Sequence, residues 1–123
     1  MWWLFDSPLL SKTARQLIDE SDHACVSAVS IYEIDFKRRD ERGRGRNDFL
    51  LRMPADMPRV LPTLGLQLLD VTPQVAWRAA RLPIEHSDPW DRFLVAQALE
   101  LNIPLISADR VLLAQAGDTP VIW

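Results

Sequence analysis

The sequence predicts an α/β fold, a three-layer arrangement with a mainly parallel central sheet, and three observations predict it. Short apolar runs of strand length recur along the chain, at "ACVSA" (24–28), "LQLLDV" (66–71), "IPLISA" (103–108) and "PVIW" (120–123). Segments with helical apolar spacing separate them. Several of these segments open on helix-start chemistry, with Ser, Thr or Asp at the cap and in two cases Pro at the first helical position. Strands that alternate with helices pair in parallel and are covered on both faces.

Taken in order, residues 9–22 read as a short amphipathic helix, with Ser11 as N-cap and Ala14, Leu17 and Ile18 at helical spacing. The strand "ACVSA" then passes directly into "VSIYEIDFKRR", a helix with Ile31 and Ile34 on one face. Pro54, Pro58 and Pro62 limit residues 47–65 to short helical pieces. After the second strand, Thr72 and Pro73 start a helix over "TPQVAWRAARL". Asp88 and Pro89 repeat that start, and Phe93, Val95, Ala96 and Leu99 form the apolar face of the helix that follows. "IPLISA" ends at Asp109, "RVLLAQA" is a short helix, and "PVIW" is a last strand.

A chain of 123 residues with 48% apolar content fits one domain spanning 1–123 with its own core. No apolar run approaches the roughly 20 residues a spanning helix needs, and no signal-peptide pattern opens the chain. The expectation is a soluble, cytoplasmic protein with no membrane partner. Cys25 is the single cysteine, so an internal disulfide and a cysteine-based zinc site are both excluded. Its apolar neighbours predict a buried, inert thiol.

A net charge of −3 argues against coating nucleic acid by bulk electrostatics, yet six of the fourteen basic residues lie between Lys37 and Arg46. Arg42, Arg44 and Arg46 with their two glycines form either a solvated helix end or a patch that contacts RNA phosphates. The five tryptophans form no stacking stripe, and Trp77 and Trp90, both on helices, are expected in core or dimer packing.

In a doubly wound sheet, ligands bind beyond the carboxyl ends of the strands. Three acids stand there or in the next helical turn: Glu33 after "ACVSA", Asp91 at the start of its helix, and Asp109 directly after "IPLISA". Each also has a structural reading. Ser30 with Glu33, and Asp88 with Asp91, have capping-box spacing, and Asp109 suits a helix cap. Together they suggest a cation, because two like charges about 4 Å apart repel by roughly 4 kcal/mol at an effective dielectric near 20. All-oxygen ligation suits Mg2+ or Mn2+, and such an ion can activate water against a phosphodiester. With only His23 and His86, both read in supporting or exposed positions, other hydrolytic arrangements are poorly supplied.

The stretches "VSAVSIYEI", "LPIEHSDPWDRFLVAQALELNIPLISADRVL" and "PVIW" resemble the PIN-domain ribonuclease toxins of the VapC type. The likeness covers nearly the whole chain. Its most specific part, "HSDPWDRFLVAQA", is similar to the H-x-D-P-F-D-R-x-L-I-A-Q-A segment of one subgroup, with Trp90 in place of Phe. The resemblance implies a PIN-like, Rossmann-like fold and RNA hydrolysis by metal-activated water. Glu33, Asp91 and Asp109 match the acids of the second, third and fourth motifs, with Asp88 as a weaker fourth ligand. It also implies a cognate antitoxin and a homodimer.

Two departures accompany the likeness. Val75 stands where many relatives carry histidine. The opening "MWWLFDSP" matches the stretch that follows the family's first strand and first catalytic Asp, and Asp6 is not placed to replace that Asp. The expectation is that the first strand is missing from this chain, which leaves it N-terminally truncated, unstable alone, or closed by a strand swap. Three functions are therefore carried forward: a Mg2+- or Mn2+-dependent endoribonuclease of a toxin–antitoxin pair, a catalytically impaired binding module for the antitoxin or its own copy, and a DNA-directed metal nuclease.

Overall fold

The computed structural model describes residues 8–40, 48–84, 88–115 and 120–123. The chain divides into two units, one made of Met1–Asp22 with Thr72–Trp123 and the other of His23–Val71. Arg42, Arg44, Arg46 and His86 lie outside the described residues.

In the second unit, β1 (Ala24–Ser27) pairs in parallel with β2 (Leu66–Leu69), in register from Ala24 opposite Leu66 to Ser27 opposite Leu69. Helix α2 (Ala28–Asp40) leaves β1 with no intervening loop. The Ser27 hydroxyl accepts from the Val29 amide at 3.0 Å, a local bond that turns the extended chain into the helix. Short helices α3 (Asp48–Leu51) and α4 (Met57–Thr63) occupy the proline-rich stretch as expected. Asp56 caps α4 by accepting from the Arg59 amide at 3.3 Å, and Gly65, at φ +80°, supplies the left-handed turn into β2. Val26, Val29, Ile34, Leu50, Met53, Met57, Leu61 and Leu66 are the buried apolar side chains here.

Arg38 fastens α2 to the turn after α3. One guanidinium nitrogen donates to the carbonyls of Met53 at 3.4 Å and Pro54 at 3.2 Å, and the other pairs with Asp35. Hydrogen bonds from Arg39 and Arg38 hold the Asp35 carboxyl below the usual aspartate range.

Cys25 departs from expectation: it is half-buried. A five-residue apolar run does not reveal which of its alternate faces is covered. Its thiol stands 4.0 Å from the Gln67 side-chain oxygen on the paired strand, and partial burial pushes its pKa up. Alkylation by iodoacetamide at pH 8 is expected to be slower than that of glutathione, as followed by intact mass; an equal or faster rate contradicts this placement.

In the first unit, α1 (Lys12–Asp19) is capped by Ser11, whose hydroxyl accepts from the Ala14 amide at 3.1 Å. Helix α5 (Pro73–Arg81) is capped by Thr72, which accepts from Val75 at 3.2 Å. Helix α6 (Pro89–Leu101) packs against α5 through Val75, Ala79 and Ala96, with Leu82 and Phe93 against that cluster. Both caps and the Phe93, Val95, Ala96 face follow the sequence pattern. Asn102, left-handed at φ 52°, ends α6, so that its amide bonds Leu99 O and the Ile103 amide bonds Ala98 O. The chain then runs through β3 (Leu105–Ile106) and α7 (Arg110–Gln115) to β4 (Val121–Ile122), which pairs with β3 in parallel. Every pairing among the described residues is parallel. Of the two uses expected for Trp77, core or dimer packing, the first does not hold: it lies on α5 with 66% of its surface exposed, outside the core.

Candidate active site

The acids of the first unit are placed by helix starts and by one reversal of the chain. Asp88 is the N-cap of α6, its carboxylate accepting from the Trp90 amide at 2.9 Å, and Pro89 follows at the position that needs no amide partner. Asp91 is in the first turn of α6 and half-buried. Asp109 stands two residues beyond Ser107, whose hydroxyl accepts from the Asp109 amide at 3.1 Å. Its Oδ1 accepts from Val111 at 2.7 Å and Leu112 at 3.1 Å, so Asp109 caps α7.

Topology puts these three acids at one end of the unit. Helix α6 rises about 1.5 Å per residue from Asp91, the chain reverses at Asn102, and the extended segment through β3 runs back at about 3.3 Å per residue. The start of α6 and the carboxyl end of β3 therefore face the same way. That is the end of a parallel strand pair at which α/β proteins bind ligands.

Glu33 belongs to the other unit. It lies in the second turn of α2, because the helix begins at Ala28, so Ser30 is inside the helix and the Ser30–Glu33 capping box does not form. The Glu33 carboxylate pairs instead with Lys37 one turn on, at 3.1 Å. Among the described residues no three His, Cys, Asp or Glu side chains converge as a ready metal cage. The described nitrogen and sulfur donors, His23 and Cys25, stand at the start of β1, whereas the helix bearing Glu33 leaves from its end. Carboxylate oxygen is thus the donor chemistry that these elements offer, which fits a hard divalent cation.

One residue had no role in the sequence reading and has a conspicuous one in the structure. Arg92, the neighbour of Asp91, donates from its guanidinium to three main-chain carbonyls, those of Ala79, Leu82 and Ile84. No spacing rule reveals this, because the partners are backbone atoms whose residue types carry no signal. The available hint was the Asp-Arg pair at a helix start, where an anion is favoured and a cation is not.

The PIN-domain family profile matches residues 1–118. Ribonuclease VapC22 of Mycobacterium tuberculosis (strain ATCC 25618 / H37Rv) is 29% identical over 126 residues, which cover 99% of this chain and 91% of that relative. Parallel strands alternating with helices agree with that match. The chain belongs to the PIN-domain family and is of the VapC type.

Proposed function

We propose that this protein is the nuclease of a toxin–antitoxin pair, a Mg2+- or Mn2+-dependent endoribonuclease that works as a single domain over residues 1–123 in the cytoplasm. What supports the reading is the position of Asp88 and Asp91 at the start of α6 and of Asp109 between β3 and α7, in a chain whose relative is named a ribonuclease. Asp91 and Asp109 are the proposed ligands in this unit, Asp88 a weaker one, and Glu33 the contribution of α2. A divalent ion held by these carboxylates would supply Lewis acidity and would activate water toward a phosphodiester. The cap bonds to Asp109 orient one of its oxygens, and Lys37 restrains the Glu33 carboxylate.

The proposed partners are RNA, a cognate antitoxin and a second copy of the chain. Supporting self-association is the groove of about 930 Å3 between α5 and α6, where exposed Trp77 carries the Arg81 guanidinium 3.3 Å above its ring. Glu100, on the wall of this groove, is nine residues from Asp91, about two and a half turns of α6 or roughly 13.5 Å along its axis, so a copy seated there leaves the acidic end open. No helix among the described residues is long and apolar enough to cross a membrane. Arg42, Arg44 and Arg46 remain the proposed contacts to RNA phosphates.

A binding-module reading has its own support: Asp88 and Asp109 both cap helices, and Glu33 is ion-paired. Incubation with labelled RNA and with labelled DNA, in Mn2+ and then in excess chelator, separates the readings. RNA cleavage that stops on chelation is expected. Cleavage of DNA alone would favour the DNA nuclease, and cleavage of neither would favour the binding module.

A further inference from the structure

The end of α5 is closed by a side chain from α6. In an α-helix the carbonyl of Ala79 would accept from the amide four residues on, but that residue is Pro83, which has no N–H. Pro83 also drives Leu82 into extended backbone, at φ −58° and ψ 131°, so no left-handed residue folds the chain back to satisfy the last carbonyls. Helix α6 shows the contrast, since Asn102 closes its end with main-chain amides alone.

Arg92 supplies what α5 lacks. Its Nε donates to Ala79 O at 3.0 Å, Nη2 to Leu82 O at 2.8 Å and Nη1 to Ile84 O at 2.8 Å. A planar guanidinium can hold three carbonyls in a fixed fork, whereas a lysine ammonium presents its donors from one atom and reaches fewer of them. The three bonds join the end of α5 and residues 82–84 to the turn of α6 that carries Asp91 and follows the Asp88 cap.

We infer that Arg92 is a positioning residue for the acidic end of α6: by clamping the backbone at Ala79, Leu82 and Ile84, it fixes where the Asp88 and Asp91 carboxylates stand. The functional consequence rests on the nuclease reading proposed above; the clamp does not. Partners that orient metal ligands from the second rank typically cost about 10- to 100-fold in metal affinity or activity when lost, and Arg92 acts at that rank through the backbone.

The test compares wild type with Arg92→Lys in the full chain, reading amide hydrogen exchange, Mn2+ affinity by titration, and kcat and KM on RNA. The substitution is expected to speed exchange of residues 79–84 and 88–92 by about tenfold while the rest of the chain exchanges as before. Mn2+ affinity and kcat should each fall by about 10- to 100-fold with KM for RNA unchanged. Wild-type exchange, affinity and kcat would overturn the inference. So would faster exchange throughout the chain with activity lost only in proportion to the unfolded fraction, because that is a purely structural role. Should Arg92→Lys fail to fold, adding Pro83→Ala gives Ala79 O a main-chain donor. That double variant is expected to fold while Mn2+ affinity stays low, and wild-type affinity in it would overturn the inference. If wild type neither binds Mn2+ nor cleaves RNA, the nuclease reading falls and exchange alone decides: selective loosening upholds the clamp, and unchanged exchange overturns it.

Discussion

Replacing Asp91 by Asn is expected to lower RNA cleavage by at least about 100-fold, since loss of a partner one shell further out already costs about 10- to 100-fold. The substitution keeps the side chain's size and removes its charge, on which affinity for a hard cation depends. Asp91 is the informative acid because the α6 cap is made by Asp88, and the α7 cap by Asp109. Replacing either cap residue by alanine would mix lost chemistry with about 0.5–2 kcal/mol of lost helix stability. At Asp91 the substitution also gives up the interaction of a first-turn carboxylate with the helix dipole, typically about 0.3–1 kcal/mol. Steady-state cleavage of labelled RNA, with thermal unfolding as control, measures both. An Asp91→Asn protein that cleaves as wild type removes the carboxylate mechanism.

Leu61→Ala is expected to destabilise the protein by about 2–5 kcal/mol, the range for truncating a buried leucine. Leu61 has no exposed surface, and α4, which carries it, packs on β2. Pro58 and Pro62 on either side restrict how far α4 can shift to close the cavity. Against a typical total stability of about 5–15 kcal/mol, that loss leaves a substantial unfolded population. Leu64, three residues on and exposed, should cost no more than about 0.5 kcal/mol as Leu64→Ala. Urea unfolding of the two variants beside wild type checks the contrast, and equal midpoints would contradict the burial of Leu61.

Local chemistry was readable from the residues, and non-local partnership was not. Ser11, Thr72 and Asp88 were recognisable as caps because a cap bonds amides two or three residues away, within one short window of sequence. Asp109 was readable as a helix cap for the same reason. Helix α2 starts at Ala28, one residue before the expected Val29, and not after a Ser30 cap, because the bond from Val29 to the Ser27 hydroxyl begins the helix at the end of what looked like strand. β3 is Leu105–Ile106 within the expected 103–108, since a strand extends only as far as its partner pairs with it. Trp77 was expected in core or dimer packing, and which of the two it serves depends on which face of α5 meets α6. The role of Arg92 was invisible because its partners are carbonyls 8 to 13 residues away, exposed to it by the conformation that Pro83 imposes. The acids were legible as candidates through strand order, and the likeness to a family singled out which of them to test.

The most direct test of the account is a Mn2+ titration of wild type and Asp91→Asn, by calorimetry or by loss of the free-ion electron resonance signal. Saturable binding by wild type, weakened by about 100-fold or more in Asp91→Asn, is the predicted result. Equal affinity in the two proteins, or no saturable binding by wild type, would contradict the claim that the acids at the start of α6 hold the ion that hydrolyses RNA.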